Sequence, residues 1–389
     1  MQRVIVIGGG FAGLAAVHQL AGAGSHVDVV LIDPRRAHHF LPLLPDLVGR
    51  GLDPDALQYP FDNVARRWRC THLQAEATGI DIERRVVATT AGEQSFDFLV
   101  IACGATTDFF DNHGAQAHAL PLHSVDDALR IRQAMGDGKS VLVIGGGYTG
   151  VEIATNAKRL LVQRGMDASV WVADRASGLC ASLPAPFQAY VDREVKALGI
   201  RVFPKTSLAS LQGDMATLSD GTALENAHVI WTAGVKGCMI LQSLPGDKDR
   251  QSRPRVDAYL RIAERCFVVG DAASVTLHGT IARMGVQFSI TQGICAARNI
   301  LRIMRNRAMS PYAAMDPGYV VPMAHGKACG SILGIRLFGR LPMWLHYVMC
   351  AARSYGVSNR YALVKGLFRS CIQSGAGAAH GRLDNDTQA

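Results

Sequence analysis

Two stretches of the chain share one pattern of apolar and small residues. Val4–Ile7 and Val141–Ile144 are runs of four apolar, mostly β-branched residues, which predict buried strands. Each run leads into a GxGxxG phrase, "GGGFAG" or "GGGYTG", and then into a helix-like run, "LAAVHQLAGAG" or "VEIATNAKRLL". A second apolar strand follows in each copy and ends on an acid, Asp33 or Asp174. The pattern predicts two strand–turn–helix–strand units of an α/β protein.

The glycines and acids of the two phrases suit a dinucleotide. In such a site the first glycine permits the tight turn, the second lets the backbone approach a pyrophosphate, and the third lets helix and strand pack closely. The glycines are Gly8, Gly10 and Gly13 in one phrase and Gly145, Gly147 and Gly150 in the other. Asp33 and Asp174 stand where a carboxylate binds the adenosine ribose. Ordinary glycine turns with solvated acids are the simpler alternative. The same order written twice favours two dinucleotides, a resident flavin and a nicotinamide that comes and goes.

Composition narrows the class of protein. The 389 residues are 49% hydrophobic and 19% charged, which is typical of a globular protein of two or three domains. The net charge of +8 favours acidic partners, either nucleic acid or an anionic membrane. Nine cysteines without CxxC spacing argue against a zinc ribbon, a redox dithiol and a secreted disulfide scaffold, and no metal site is predicted. Neither a signal peptide nor a membrane-spanning run of 18 apolar residues is expected.

The C-terminal part of the chain has a different charge pattern. Residues 317–383 contain no Asp or Glu, while Arg, Lys, Trp, Tyr and Phe alternate along them. Two amphipathic helices are predicted, in "LPMWLHYVMCAA" and "RYALVKGLF". Basic and large apolar residues without acids favour helices that lie in a membrane interface. The alternatives are a dimer face or a cover over the core; nucleic acid is not expected, because no recognition motif accompanies the charge.

Longer segments carry a family resemblance. "FDFLVIACGATT", "VIWTAGVKG" and "CFVVGDAAS" resemble the domain-crossing strands and the flavin-ribityl motif of flavoproteins with two dinucleotide-binding domains. "HHFLPLLPDLVGRGLDPDALQYPF", "TTDFFDNHGAQAHALPLHSVDDALRIR" and "GVQFSITQGICAARNI" are similar to segments of type II NADH dehydrogenases, the single-subunit NADH:quinone oxidoreductases. The resemblance implies an α/β fold with two Rossmann-like domains, the second inserted in the first, plus a C-terminal amphipathic helical region.

The resemblance also implies the domain bounds. FAD would be bound by residues 1–112 and 255–316, and NADH by residues 113–254. Residues 317–372 would associate with a membrane. Beyond the resemblance, the small and polar composition of residues 373–389 predicts a disordered tail. The implied activity is hydride transfer from NADH to FAD and then two-electron transfer to a membrane quinone, without proton pumping. The implied protein is a peripheral homodimer of the respiratory chain, on the cytoplasmic side of the inner or plasma membrane.

Site residues follow from the same resemblance. Those that would bind FAD are Gly8, Gly10, Phe11, Ala12, Gly13, Asp33, Pro34, Arg35, Pro42, Leu43, Ala77, Ala102, Gly104, Gly270, Asp271, Ala282 and Gln287. Those that would bind NADH are Gly145, Gly147, Tyr148, Thr149, Gly150, Glu152, Asp174, Arg175, Ala233 and Gly234. Gln287 and Thr291 would lie beside the quinone. Glu152 would be catalytic, near the nicotinamide ribose and carboxamide; alternatively, its charge only complements the dipole of the first helical turn.

Some positions depart from the family pattern and keep alternatives open. Pro45 replaces a tyrosine, Val286 an alanine and Thr291 a glutamine, so the electron acceptor is the least determined feature. Asp174 favours NADH, because a carboxylate repels the extra phosphate of NADPH, whereas the neighbouring Arg175 acts against that preference. A sulfide:quinone oxidoreductase would need two placed cysteines, for which Cys180 and Cys329 are the candidates. An NADH-sensing flavoprotein like the apoptosis-inducing-factor group is the other alternative.

Overall fold

The computed structural model describes residues 1–22, 24–277, 279–314 and 316–368. The predicted disordered tail, 373–389, and the last four residues of the predicted membrane-associating region lie outside them. The helices are α1 Phe11–Ala21, α2 Leu44–Arg50, α3 Phe61–Trp68, α4 His113–His118, α5 Val125–Ala134, α6 Tyr148–Gln163, α7 Ala185–Ala197, α8 Val286–Met304 and α9 Arg340–Arg353, followed by α10 over residues 357–368.

The strands alternate with these helices along most of the chain. In chain order they are β1 Gln2–Ile7, β2 Val27–Ile32, β3 Ala37–His39, β4 Gln58–Pro60, β5 Thr71–Leu73, β6 Ala77–Asp81, β7 Val86–Thr89, β8 Gly92–Ser95, β9 Phe98–Ile101, β10 Ala105–Thr107, β11 Leu120–Pro121, β12 Ser140–Ile144, β13 Val170–Asp174, β14 Arg201–Pro204, β15 Leu208–Gln212, β16 Met215–Leu218, β17 Ala223–Leu224, β18 Ala227–Trp231, β19 Val235–Gly237, β20 Arg261–Ala263, β21 Cys266–Val268, β22 Thr276–Leu277, β23 Thr280–Ile281, β24 Gly318–Met323, β25 Lys327–Ile332 and β26 Ile335–Gly339.

The chain forms two compact units. Among the described residues, unit 1 comprises residues 1–38, 59–106 and 235–317, and unit 2 comprises residues 39–58, 107–234 and 318–368. These bounds differ from the expected ones at 112 and 254. Residues 235–254 belong to unit 1, where Arg253 Nη1 donates to Ala273 O at 3.3 Å. The bounds also place residues 39–58 in unit 2, since α2 packs on α5 and α6.

Unit 1 is built on a six-stranded sheet in the order β20-β21-β9-β1-β2-β5. The strands from β21 to β5 are parallel, with Val4 paired to both Val29 and Phe98. Because both faces of the central strand β1 are covered, Val4, Ile5 and Val6 are fully buried. Helices α1 and α8 pack tightly on each other, and the strands β6, β7 and β8 form a small antiparallel sheet.

Unit 2 contains a second parallel sheet, in the order β11-β18-β12-β13-β14. Its buried residues Leu142, Phe203 and Trp231 join those of the antiparallel sheet β15-β16-β17 in one core. Both parallel sheets place their glycine phrase directly after an inner strand, β1 in unit 1 and β12 in unit 2. The prediction of two Rossmann-like α/β folds is therefore confirmed.

The C-terminal region is only partly helical. Strands β24, β25 and β26 form an antiparallel sheet before α9 and α10, a sheet that the sequence did not suggest. The helix α9 buries Met343, Tyr347 and Cys350 within unit 2. None of the helices in the described ranges is long and apolar enough to span a membrane.

Candidate functional site

The first glycine phrase forms a tight turn between β1 and α1. Gly8 has a φ of +98°, which L-residues with side chains rarely adopt, and its N–H donates to Ile32 O at 2.8 Å. A side chain on Gly13 would overlap the carbonyl of Gly8, so the third glycine is required for close packing of helix on strand. Beside Gly10 the space is open, because an added Cβ would meet no atom within 4 Å. The turn therefore leaves room for a phosphate group at the uncapped N-terminus of α1.

Asp33 connects this turn to the end of β2. Its Oδ2 accepts from Gly9 N at 2.7 Å, and both of its oxygens accept from the Arg35 guanidinium, at 2.9 and 2.7 Å. Burial opposes ionisation of Asp33, yet these hydrogen bonds hold its pKa below the ordinary value. The carboxylate is therefore charged at neutral pH, as a ribose-binding acid must be.

The second glycine phrase repeats this geometry in unit 2. Gly145 has a φ of +107°, and its N–H donates to Ala173 O at 2.8 Å. A side chain on Gly150 would overlap the Gly145 carbonyl. A Cβ added to Gly147 would meet no atom within 4 Å, as at Gly10. The helix α6 begins after Gly147 without a side-chain cap. Both phrases thus have the shape that a pyrophosphate requires.

The two acids have different neighbours. Asp174 accepts from Gly146 N and, at 2.6 Å, from Ala176 N. Arg175 makes no ion pair with Asp174 or any other carboxylate in the described part of the chain, whereas Arg35 is bonded to Asp33. The Arg175 guanidinium lies instead over the ring of Phe110, 4.6 Å from its centroid. The guanidinium beside the second acid is therefore directed to an aromatic ring.

Several predicted FAD residues line the same edge of the unit 1 sheet. Ala102 follows β9, and its carbonyl would meet any side chain on Gly8. Gly270, with a φ of +71°, lies against Ala12, where an added Cβ would be 2.9 Å from Ala12 Cβ. Asp271 accepts from Ser289 Oγ at 3.4 Å. The structure thus brings these residues together around the first glycine phrase and α8.

Other predicted FAD residues lie elsewhere. Ala77 begins β6 and Ala282 follows β23, and no hydrogen bond among the described residues joins either to the glycine phrase. Gly104, Pro34 and Phe11 stay within unit 1, whereas Pro42 and the fully buried Leu43 belong to unit 2. For all of these, a cofactor-binding role stays a prediction.

Helix α8 presents two glutamines with different environments. Gln287 is in the first turn and half-buried, four residues before Thr291. The Thr291 hydroxyl donates to Gln287 O at 2.9 Å and lies 2.8 Å from the Tyr312 hydroxyl. Gln292 was not predicted from the sequence, yet its buried Oε1 accepts from Gly270 N at 2.7 Å. Gln292 fixes the turn beside Asp271, and only its place next to the expected glutamine position could have indicated it.

Glu152 lies on α6 in an unusual environment. It is beyond the first helical turn, so the alternative role of complementing the dipole of that turn is wrong. Its carboxyl has no hydrogen-bond partner among the described residues. Burial, with the Asp46 carboxylate as the second cause, raises the pKa of Glu152 well above its usual range. A carboxyl of this kind can hold a proton at neutral pH and give it up.

The remaining NADH-side residues surround the second phrase. Tyr148 and Thr149 open α6, and the Tyr148 ring lies 5.9 Å from that of Tyr319. Ala233 lies against the glycine turn, because a Cβ on Gly145 would be 2.8 Å from Ala233 Cα. Gly234 leaves space for the Phe110 ring, which would be 2.5 Å from an added Cβ. Phe110, like Gln292, was not predicted from the sequence to be a site residue.

The cysteines offer one contact that was not expected. The Cys238 Sγ donates to the backbone carbonyl Cys103 O at 3.3 Å, and the neighbouring Cys103 side chain lowers the pKa of Cys238. By contrast, burial raises the pKa of both Cys180 and Cys329 to about 12. All cysteines of the described residues are free thiols, and no group of three or more potential metal ligands occurs among those residues.

A protein-family comparison decides the assignment. The model for pyridine nucleotide-disulphide oxidoreductases matches residues 2–298, which include both glycine phrases and most of α8. The chain belongs to the pyridine nucleotide-disulphide oxidoreductase family. Membership confirms the predicted FAD and NADH cofactors and the class of flavin-dependent oxidoreductase. In this oxidoreductase, the open sides of Gly10 and Gly147 fit the pyrophosphates of these two dinucleotides.

Individual relatives confirm the resemblance to type II NADH dehydrogenases. The oxidoreductase is 24% identical over 383 residues to the type II NADH:quinone oxidoreductase of Staphylococcus aureus, covering 90% of this chain and 94% of the relative. The structure of NDH2 from Plasmodium falciparum with NADH matches with a TM-score of 0.84 at 15% identity, over 95% and 98% of the two chains. The sulfide:quinone oxidoreductase of Aquifex aeolicus matches with a TM-score of 0.78 at 16% identity, over 93% and 92%.

Proposed function

We propose that this oxidoreductase is a peripheral membrane enzyme that oxidises NADH and reduces a membrane quinone, without pumping protons. The observation that carries the proposal is the complete second glycine phrase, in which Gly146 N donates a hydrogen bond to the Asp174 carboxylate. That arrangement fits a nicotinamide donor, since a sulfide-oxidising enzyme has no need of a second dinucleotide. The name of the Staphylococcus aureus relative supports the quinone as acceptor.

The residues of unit 1 would hold FAD. Gly10 and the N-terminus of α1 would face its pyrophosphate, Asp33 its ribose, and Asp271 its ribityl chain. Bound FAD would supply the two-electron chemistry that links a hydride donor to a quinone. The hydrogen bond from Gly270 N to Gln292 keeps the turn at Asp271 in place.

The residues of unit 2 would bind NADH and manage a proton. Gly147 and the uncapped start of α6 would face the NADH pyrophosphate, and Asp174 would accept from the ribose hydroxyls. Reduction of a quinone by NADH takes up one proton from water. Glu152, with its raised pKa and unbonded carboxyl, is the residue of this unit best suited to hold that proton.

The thiols argue against sulfide oxidation through the pair that the sequence suggested. Attack on sulfur requires a thiolate, and the pKa of about 12 for Cys180 and Cys329 keeps both protonated. The Cys238 thiol has a lowered pKa, so sulfide also serves as a test substrate in the assay of function.

The C-terminal helices supply the membrane surface of the proposal. On α9 the side chains of Leu341, Trp344 and Val348 are 54–62% exposed, and they lie on the face opposite to the buried one. On α10 a similar exposed row comprises Val357, Tyr361, Val364 and Phe368. The neighbouring exposed cations are Arg336, Arg340, Arg360 and Lys365. Exposed apolar rows with basic neighbours fit insertion into an anionic lipid interface.

A half-reaction assay tests the proposed function. NADH added without oxygen should bleach the flavin of the purified protein, and a short-chain quinone should restore its colour and sustain turnover. A reduced complex that persists in the presence of quinone would favour the NADH-sensing alternative. Bleaching by sulfide but not by NADH would favour the sulfide enzyme. The homodimer and the cytoplasmic side of the membrane stay predictions from the resemblance.

A further inference from the structure

The contact between Arg175 and Phe110 bears on the choice between NADH and NADPH. Arg175 directly follows the ribose-binding acid Asp174, where an arginine can accommodate the 2′-phosphate of NADPH. A free guanidinium at this place would offset the repulsion that the Asp174 carboxylate exerts on that phosphate. In the structure, the guanidinium lies over the Phe110 ring, at 4.6 Å from its centroid.

The position of the Phe110 ring is fixed by its surroundings. The ring edge occupies space beside Gly234 that a side chain would fill. A Cβ added to Gly234 would lie 2.5 Å from Phe110 Cζ. The Asp108 carbonyl accepts from Trp231 Nε1 at 2.9 Å, and Asp108 N donates to Gly234 O at 3.0 Å. Phe110 itself has a φ of +49°, a left-handed conformation that is uncommon for a bulky residue. The ring is therefore presented to Arg175 by a hydrogen-bonded loop.

We propose that Phe110 is a specificity-determining residue, whose ring holds the Arg175 guanidinium and so keeps the enzyme selective for NADH over NADPH. The inference rests on the proposed NADH oxidation. Asp174 repels the 2′-phosphate, and Phe110 removes the cation that would offset this repulsion. A cation–π contact at an exposed site is worth about 0.5–1 kcal/mol, which corresponds to a two- to fivefold change in affinity.

Binding of two nucleotide fragments to the flavin-loaded protein tests the proposal without turnover. The probes are ADP-ribose and 2′-phospho-ADP-ribose, measured by calorimetry. Phe110→Leu removes the π face and keeps an apolar side chain beside Gly234. It should raise affinity for the phosphorylated probe about two- to fivefold relative to ADP-ribose. Phe110→Tyr keeps the π face and should bind both probes like the unaltered protein.

Two further variants identify the cation and the site. The double variant Phe110→Leu with Arg175→Gln should not show the increased affinity for the phosphorylated probe, because the released guanidinium is then absent. Tyr190→Leu is the matched control: it breaks another cation–π pair of unit 2, with Arg193 at 4.8 Å, and should change neither affinity. Arg175→Gln alone should alter the preference less than twofold, and this comparison remains informative even if Phe110→Leu fails to fold.

Distinct results would overturn the proposal. A gain that persists in the double variant would show that Arg175 is not the cation involved. If Phe110→Leu loses affinity equally for both probes, Phe110 instead forms part of an adenine-binding surface. A large loss of affinity for the phosphorylated probe in Arg175→Gln alone would show that the guanidinium already contacts the 2′-phosphate in the unaltered protein. A protein that binds ADP-ribose but never oxidises NADH would refute the proposed function and leave this binding test intact.

Discussion

The hydroxyl of Tyr347 donates a 2.9 Å hydrogen bond to Oδ1 of Asp46, and both residues are buried. The same oxygen accepts from Arg50 at 2.6 Å, so α9 is tied to a buried ion pair on α2. Tyr347→Phe removes one hydrogen bond to the buried Asp46 carboxylate and should lower the free energy of unfolding by about 1–3 kcal/mol. Denaturant unfolding measures the loss. Tyr361→Phe, at a side chain that is 68% exposed, is the control and should have no effect.

Charged substitutions on the exposed apolar rows should weaken membrane binding. Trp344→Glu and Tyr361→Glu each replace a side chain that would enter the lipid interface, and together they should reduce affinity for anionic vesicles at least tenfold. Val162→Glu, at a site 65% exposed on α6, should bind like the unaltered protein. Vesicle flotation at low and high salt gives the measurement. If the unaltered protein does not bind anionic vesicles at low salt, the exposed apolar rows of α9 and α10 instead contact another protein surface.

Valine at either open glycine should remove one dinucleotide and spare the other. Gly10→Val fits the folded chain, because the space beside Gly10 is empty for 4 Å, yet it fills the place of the pyrophosphate. The purified variant should be folded and almost colourless. Gly147→Val should keep its flavin and lose most of its affinity for NADH. Absorbance at the flavin band and NADH titration distinguish the two, and a Gly10→Val protein with full flavin content would contradict the assignment.

The two glutamines of α8 should affect different steps. Gln287→Leu should slow reoxidation of the flavin by quinone at least tenfold and leave bleaching by NADH largely intact. Gln292→Leu removes the acceptor of Gly270 N and should instead lower flavin content and stability. Stopped-flow spectroscopy separates the half-reactions. Parallel losses in both half-reactions of Gln287→Leu would mean that this side chain supports the flavin.

Glu152→Gln should change how stability depends on pH. The raised pKa of Glu152 means that the folded protein favours its protonated form. The native chain therefore loses stability as the pH rises from the ordinary carboxyl pKa, 4.5, towards the raised one. The amide cannot ionise, so the variant does not lose this stability. The difference in melting temperature, variant minus native protein, should therefore increase as the pH rises across that range. A constant difference would show that Glu152 titrates normally. Quinone reduction should also slow in the variant, because the amide cannot give up a proton.

Features set by short stretches of chain were predictable from the sequence. The turn at Gly8 needs a positive φ and the packing at Gly13 needs a missing side chain, and both requirements are met within six consecutive residues, 8–13. The amphipathic pattern likewise indicated the two C-terminal helices and their apolar rows. Local backbone conformation and helix periodicity depend on neighbours along the chain, so they can be inferred without a structure.

Tertiary contacts decided what each of these elements does. The sequence by itself determined two dinucleotide turns, their acids and a basic, aromatic C-terminal region. Only the structure showed that residues 39–58 join unit 2, that Gln292 holds Gly270, and that Arg175 lies on Phe110. The partners in each case are far apart in the chain, 65 positions for Phe110 and Arg175. Their interaction energies depend on where the sheets and helices bring them, and no local pattern of residue types encodes that.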